Sequence, residues 1–236
     1  MDRTLKAISL ILSYPTQELQ KAMPEITAVI MSDTRMTTAT RGGFSTLLEQ
    51  LENADIYALQ EAYVGLFDRS RTLSLNLFEH VHGESRDRGG AMVSLVETYR
   101  DAGFDPVTSE LPDHLPVLLE FLSLRPKAET QEILADAAHI FAALQDRLTR
   151  RETEYAVGVD KLLQLSGQQA DAQAVAELLE QPEDDPDDLE ALDQVWEESE
   201  VVFGPDPNAG CPQVRDMLAN MDTPVNPAPN AANAAE

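Results

Sequence analysis

The side chains best suited to chemistry are concentrated in the segment FEHVHGESRDRGGAM, residues 78–92. His80 and His82 lie two positions apart there, among carboxylates and arginines. With His114 or Asp113 from further along the chain, this pair could supply the histidine and carboxylate ligands of a hydrolytic zinc site. A histidine pair near acids also arises readily by chance. A helical metal-dependent hydrolase is therefore one interpretation among several.

Ordinary helix capping accounts for the same residues without any chemistry. Ser85 can cap the helix that follows it, with Asp87 close to the positive end of the helix dipole. Asp113 is likewise placed to cap the next helix, and Pro116 then falls in the first turn, where its missing N–H costs little. Either histidine of the pair could form a buried hydrogen bond. The alternative is that Asp113 and His114 line a pocket beside the histidine-rich segment.

Composition and motifs exclude several classes of protein. The 236 residues include 42 Asp and Glu against 17 Lys and Arg, a net charge of −25. Binding to a phosphate backbone needs a basic surface, so no nucleic-acid partner is expected and cationic partners are favoured. The single cysteine, Cys211, excludes an internal disulfide, a four-thiolate zinc site and a zinc deaminase site, of which His82-Gly83-Glu84 supplies only half. The sequence contains no nucleophile elbow, phosphate loop or dinucleotide motif.

Apolar residues recur at spacings of three and four through the first 180 residues, which predicts helix after helix. The clearest stripe extends from Thr130 to Leu148, and Asp55 is placed to cap a helix that begins at Ile56. Connections are expected at Gly103, Pro112, Pro126 and Gly167. No segment alternates with period two for long enough to form a sheet. We therefore predict an all-α fold, a single helical-bundle domain of about eight to ten helices.

The composition changes near residue 181. Residues 181–203 are strongly acidic but contain apolar side chains at helical spacing, which predicts one short docking helix built on Leu189, Leu192, Val195 and Trp196. Residues 204–236 are rich in Pro, Asn and Ala and have too little apolar area to offset the entropy of ordering, so they are predicted to be a disordered tail. We therefore expect a helical domain over 1–203 and a tail over 204–236.

Membrane insertion and export are not expected from the sequence. No run approaches the about 20 apolar residues that a bilayer-spanning helix needs. The short apolar stretch near the start is interrupted by Ser9 and Ser13 and ends at Tyr14-Pro15 without a small-residue cleavage site. We expect no stable membrane insertion, and the low cysteine content favours a reducing, cytoplasmic location.

Two segments resemble a known family. The run YVGLFDRSRTLSLNLFEHVHGESRDRGGAM, residues 63–92, and the run ELPDHLP, residues 110–116, closely resemble the NarJ family, the nitrate reductase molybdenum cofactor assembly chaperones. The second run also matches the E-x-P-x-H-like signature of the TorD-like redox-enzyme maturation proteins. The resemblance extends over residues 1 to about 203 and is most specific over 57–124.

The resemblance implies a cytoplasmic, non-catalytic, TorD-like helical chaperone. Such a protein binds the apo catalytic (alpha) subunit of a membrane-bound respiratory nitrate reductase and recognises its N-terminal segment. It supports molybdenum cofactor and iron–sulfur insertion before membrane attachment, and binds no cofactor stably itself. The resemblance places a groove for the client peptide near the two segments, and the candidate residues are Phe78, Glu79, His80, His82, Glu84, Arg86, Glu110, Asp113 and His114.

An acidic adaptor without a redox client is a third interpretation, beside the chaperone and the hydrolase. A strongly negative protein attracts basic segments over about a Debye length, ~10 Å at about 0.1 M salt, whatever its role. Metal analysis separates the hydrolase from the chaperone. Copurification with an apo-molybdoenzyme separates the chaperone from the adaptor.

Truncation at two positions tests the predicted boundary between the helical domain and the tail. A chain that ends at Phe203 should keep the thermal midpoint of the full-length protein within a few degrees, since the removed residues carry little apolar area. A chain that ends at Glu180 should lose more, because it also lacks Leu189, Val195 and Trp196. Thermal unfolding followed by circular dichroism compares the three chains. A large loss for the first truncation would show that residues 204–236 pack on the core.

Overall fold

The structure, a computed structural model, describes residues 1–82 and 86–181, and of Arg86 only the backbone. Within these residues the chain forms eleven α-helices and no strand, which confirms the predicted all-α class. A π-helical segment, Val64–Asp68, continues from the fourth helix, and a 3-10 turn, Arg71–Leu73, follows it. The helices are α1 (Arg3–Ile11), α2 (Gln17–Met31), α3 (Thr38–Asn53), α4 (Ile56–Tyr63), α5 (Leu77–His82), α6 (Arg86–Asp101), α7 (Leu115–Ser123), α8 (Lys127–Asp136), α9 (Ala138–Arg150), α10 (Ala156–Ser166) and α11 (Ala172–Leu179).

The predicted docking helix within 181–203 and the predicted disordered tail, 204–236, fall beyond the described residues. They stay predictions, as does the boundary between them. The same holds for the proposed cap Ser85 and for Cys211. No helix in the described part of the chain is long and apolar enough to cross a membrane.

Two helices, α8 and α9, share the stripe of apolar residues from Thr130 to Leu148. The sequence predicted that this stripe lies on one continuous helix. Ala137, between α8 and α9, has φ −89° and ψ 2°, which departs from helical geometry, while its N–H still bonds to the carbonyl of Ile133. The chain resumes its helix at the next residue, so the apolar face continues across the break and its later members, from Ile140 onward, are buried. Both helices pack against α10. This division raises the helix count above the eight to ten expected.

Side-chain caps set the starts of five helices. Asp55 accepts hydrogen bonds from the backbone N–H groups of Tyr57 and Ala58, which confirms the predicted cap of α4. The carboxylates of Asp2 and Asp171 and the hydroxyls of Thr16 and Thr37 do the same for their own helices. Each cap satisfies N–H groups that have no partner within the helix, and removing one costs about 1 kcal/mol.

The pairing of α1 with α7 forms the centre of the molecule. Three polar contacts fix an antiparallel register: Asp2 N–H donates to the Ser123 carbonyl at 2.6 Å, Lys6 pairs with Glu120, and Ser9 Oγ donates to the Pro116 carbonyl at 2.7 Å. Between these contacts the apolar faces of the two helices are almost fully buried, through Leu5, Ile8, Ile11, Leu12, Leu115, Leu119 and Leu122. Each such side chain contributes about 1.5–3 kcal/mol on burial.

A buried arginine connects the C-terminal helices to the middle of the chain. The guanidinium of Arg147, on α9, donates to the carbonyl of Thr72 at 2.8 Å and to the carbonyl of Leu178 at the end of α11. A buried cation is tolerated only where it is hydrogen-bonded. These bonds therefore fix α11 and the 3-10 turn against α9.

An ion-pair network joins the start of α1 to the α2–α3 connection and to α10. Asp33 accepts hydrogen bonds from the Arg35 side chain at 2.9 Å, and Arg35 also donates to Asp2 at 2.7 Å. The ammonium of Lys161 lies 3.6 Å from the carboxylate of Asp33. Burial raises the pKa of Asp33, but hydrogen bonds from Arg35 and the charge of Lys161 outweigh it, so that the pKa is held far below its ordinary 3.8.

This network should make the stability of the protein sensitive to acid. Because the pKa of Asp33 is depressed in the folded state, its contribution is fully present above the unfolded value, near 4, and is lost as the pH falls toward the lower folded value. Asp33→Asn should cost about 1–2 kcal/mol of unfolding free energy at about pH 7, since Arg35 is partly exposed and screened. The difference from wild type should shrink between about pH 4 and about pH 2.

Urea unfolding of the two proteins over that pH range measures the effect. Asp101→Asn is the matched control, because Asp101 is exposed and forms no ion pair among the described residues. A cost for Asp33→Asn that does not change between the two pH values would contradict the assignment.

Candidate functional site

The two segments singled out from the sequence meet in the structure. Leu115 N–H donates to the Leu75 carbonyl at 2.8 Å, and Leu77 N–H donates to the Asp113 carbonyl at 3.2 Å. Asn76 and His114 form an isolated antiparallel β-bridge between these bonds. We call this contact between residues 74–78 and 112–115 the clasp. It brings the start of α5 to the start of α7.

Asp113 caps α5 and not its own helix. Its carboxylate Oδ2 accepts a hydrogen bond from the backbone N–H of Phe78 at 2.9 Å, across 35 positions of sequence. The N-cap position of α7 is occupied by His114, which makes no side-chain cap bond there, so the expectation that Asp113 caps α7 is wrong. Asp113 is 1% exposed. It therefore stabilises the clasp from the interior through Oδ2, while its other oxygen, Oδ1, is buried without a hydrogen-bond partner among the described residues.

His80 is also an interior residue. It is 6% exposed, and its ring Nε2 lies 2.8 Å from the Ser74 carbonyl, which can only accept, so Nε2 carries the proton. Burial lowers the pKa of His80 more than the Ser74 bond raises it, so the ring is neutral near pH 7. Of the interpretations left open for this histidine, the structure shows a buried hydrogen bond that holds the turn before α5.

The outer side of α5 carries the other candidates. The rings of Phe78 and His82 contact each other edge to face, with 5.7 Å between centroids. Glu79 accepts from the guanidinium of Arg88 at 2.9 Å, which ties α5 to α6. Burial raises the pKa of Glu79, but hydrogen bonds, among them those from Ser74 and Arg88, lower it by a larger amount. The net effect is a lowered pKa, so Glu79 and Arg88 form a charged pair. Glu84 and the side chain of Arg86 lie outside the described residues.

A groove of about 660 Å³ opens beside the clasp, between the facing sides of α1 and α7 and the segment 104–110. Its apolar lining includes Leu10, Tyr63, Phe104, Pro116 and Val117. Four carboxylates line it as well, those of Asp68, Asp105, Glu110 and Glu120, against the cation Lys6 and the imidazole of His114. We call this cavity the acidic groove.

The surroundings of the acidic groove perturb the pKa of Asp68 and of His114. Burial raises the pKa of Asp68, the nearby charge of Glu110 raises it further, and His114 opposes both. Burial lowers the pKa of His114 and outweighs the opposing carboxylates, so the imidazole contributes little positive charge near pH 7. Lys6 is already paired with Glu120. The groove thus has an excess of negative charge over an apolar floor, which suits a cationic amphipathic segment.

The four residues of the hydrolase interpretation have other contacts. The His80 ring bonds to the Ser74 carbonyl, and Asp113 bonds to the Phe78 N–H within the clasp. The His82 ring contacts that of Phe78, and His114 Nδ1 lies 3.3 Å from the side-chain oxygen of Asn76. Within residues 1–82 and 86–181, no three His, Cys, Asp or Glu side chains are grouped so that they could hold a metal ion.

Sequence reasoning found Glu110 and His114 but missed most of the groove. Ser9 in α1 and Ser13 just beyond its end interrupt the first apolar stretch of the sequence, and both line the groove. These two hydroxyls within an apolar stretch were the available signal. The pairing of Lys6 with Glu120 spans 114 positions and leaves no local pattern.

Comparison with known proteins agrees with this geometry. The family model described as nitrate reductase delta subunit matches residues 33–159, more than half of the chain. NarJ of Escherichia coli K12, named a nitrate reductase molybdenum cofactor assembly chaperone, is 42% identical over 206 residues, 87% of either chain. NarW of the same strain, named as a probable chaperone of the same kind, is 40% identical over 88% of this chain and 86% of its own.

A solved structure supports the fold. The crystal structure of a redox enzyme maturation protein from Archaeoglobus fulgidus superposes with a TM-score of 0.51 at 27% identity, covering 71% of this chain and 94% of that one. The names of the close relatives describe assembly chaperones and not catalytic enzymes. The family model, the similarity to the two Escherichia coli proteins and the shared all-α fold show that the chain belongs to the nitrate reductase delta subunit family, in its NarJ group of assembly chaperones.

Proposed function

We propose that this protein is a cytoplasmic chaperone that binds the apo catalytic subunit of a respiratory nitrate reductase through that subunit's N-terminal segment. It holds the client in a state that accepts the molybdenum cofactor and the iron–sulfur cluster before membrane attachment. The observation that carries the proposal is the acidic groove, where four carboxylates border an apolar floor. The relatives' names support the role in nitrate reductase assembly.

The dimensions of the groove indicate how the client is held. About 660 Å³ accommodates the side chains of a few turns of helix and not a folded domain. A segment with apolar residues on one face and Lys or Arg on the other would bury the first against Leu10, Phe104 and Val117 and place the second near the carboxylates. The molybdenum cofactor is then cargo for the client, and the chaperone needs no cofactor of its own.

The candidates whose side chains the structure describes divide into three groups. Glu110 and His114 line the acidic groove, whereas Phe78, Glu79 and His82 lie on the outer side of α5. We propose that the first group contacts the client segment directly and that the second continues the same surface. His80 and Asp113 act indirectly, because both are buried in the clasp.

Charge and apolar contact can be tested separately with a peptide matching the first residues of the cognate catalytic subunit. Glu110→Lys should weaken binding roughly three- to tenfold at about 0.05 M salt and by less at about 0.5 M, because screening removes the electrostatic part. Tyr14→Ala, at the exposed edge of the groove, should weaken binding by a similar factor at both salt concentrations, since apolar contact is not screened.

Isothermal titration calorimetry measures both effects. Glu132→Lys is the matched control, because Glu132 is exposed on α8 and does not line the groove. If Glu110→Lys and Glu132→Lys weaken binding equally, the client is attracted by net charge alone, and the groove assignment is wrong. The same variants, assayed for nitrate reductase maturation in cells, connect peptide affinity to function.

Substitutions at Asp113 and His114 distinguish a role in the stability of the clasp from a role in peptide binding by the groove. Asp113→Ala should cost about 1–2 kcal/mol of stability through loss of the α5 cap, while Asp113→Asn, which keeps a carbonyl acceptor for Phe78, should cost less. His114→Ala should weaken peptide binding with a smaller loss of stability, since its ring lines the groove. Urea unfolding and calorimetry on the folded variants provide the two readouts. Wild-type peptide affinity in His114→Ala would remove this residue from the binding surface.

A further inference from the structure

A second cavity has the opposite electrostatic character. It has a volume of about 470 Å³ and lies at the other end of the α1–α7 pair, next to the start of α8 and the end of α10. Four cations line it, Arg35, Arg125, Lys127 and Lys161, and Asp2 is the only carboxylate among its lining residues. We call it the basic pocket. Such a concentration of positive charge is unexpected in a chain whose net charge is −25.

Nearby carboxylates neutralise these cations incompletely. Asp33, which does not line the pocket, pairs with both Arg35 and Lys161, so that one carboxylate serves two cations. Arg125 pairs with Glu129, and Asp2 pairs with Arg35. Four cations therefore face three carboxylates. Lys127 is exposed and forms no ion pair within the part of the chain that the structure describes.

Lys161 is the most unusual of the four. Its side chain is 0% exposed to solvent, although an ammonium group is costly to bury. It donates to the Arg35 carbonyl at 3.1 Å and lies 3.6 Å from Asp33, which leaves one of its three N–H donors without an acceptor among the described residues. Burial also lowers its pKa. Lys161 therefore adds positive charge beneath the surface of the pocket, and an anion in the pocket would supply part of the missing negative charge.

From these groups we infer that the basic pocket binds a small organic phosphate. A phosphate group carries up to two charges and several acceptor oxygens, which match a pocket that combines arginine forks with lysine ammonium groups. The cavity is much larger than a phosphate group alone, and Leu5, Leu134 and Leu165 provide an apolar wall for the rest of the molecule. A polyanion such as a nucleic acid is disfavoured, because the net charge of the chain, −25, repels it.

The geometry of α8 supports the same assignment. Lys127, Gln131 and Leu134 are spaced to lie on one face of the helix, and all three line the pocket. A cation, an amide donor and an apolar side chain thus follow one another along a single wall. This order suits a ligand with a charged end and an apolar body.

The test is titration of the full-length protein with inorganic pyrophosphate, in buffers whose ionic strength is held constant with sodium chloride. Calorimetry should show one saturable site. Lys127→Glu should weaken pyrophosphate binding about fivefold or more with little change in the thermal midpoint, since Lys127 is exposed and lies outside the Asp33 network. Lys21→Glu is the matched control, because it makes the same change at an exposed position on α2 away from the pocket, and it should bind as wild type does.

Three results would overturn the inference. Pyrophosphate that gives no saturable binding at millimolar concentration, or that binds Lys127→Glu and wild type equally, would show that the four cations serve only the ion-pair network. An equal loss in Lys127→Glu and Lys21→Glu would show a response to net charge and not to the pocket. Client-peptide affinity, measured in the same variants, is expected to be unchanged, so failure of this inference leaves the acidic groove untouched.

Discussion

The antiparallel contact between α1 and α7 is the constraint on which the rest of the structure depends. Its register is set by a backbone hydrogen bond at one end, from Asp2 to Ser123, and by the Ser9 hydroxyl bonded to the Pro116 carbonyl at the other. Because α7 follows directly from the clasp, this register also determines where His114 lies. The acidic groove and the basic pocket border opposite ends of the same helix pair. A shift of one helix along the other would disturb both cavities together.

The two cavities have the same electrostatic arrangement with opposite signs of charge. In each, the protein brings together like charges that it only partly neutralises, and the cost is offset by the folded core and by a small number of ion pairs. In the acidic groove burial and, after it, the nearby charge of Glu110 raise the pKa of Asp68, and around the basic pocket the burial of Lys161 lowers its pKa. A ligand of opposite charge would favour the charged form of each group, which is why the two proposals expect ligands of opposite sign.

Aromatic packing holds the remaining wall of the acidic groove. Tyr99, the buried residue of α6, donates from its hydroxyl to the Pro112 carbonyl at 2.7 Å and packs with Phe104 and Phe121 at centroid distances of 5.3 and 4.7 Å. Gly103, with φ of 71°, lets the chain leave α6 and turn back toward this cluster. The segment 104–110 is therefore anchored at Phe104 and runs across the groove edge from there. Of the α6 side chains that the structure describes, that of Tyr99 alone is fully buried.

The sequence by itself determined the helical class, the cap at Asp55, the connections at Gly103, Pro126 and Gly167, and the importance of the two segments that form the clasp. These follow from local spacing and from backbone preferences that act within a few residues. It did not determine that Ala137 divides a continuous apolar stripe, since an unbroken pattern is compatible with one helix or two. Nor did it determine that Asp113 caps a helix 35 positions away, or that Lys6 meets Glu120 across 114 positions. Only the tertiary structure decided those contacts. A carboxylate bonds to whichever N–H group or cation the packing of the apolar faces brings next to it, and that packing depends on the whole core.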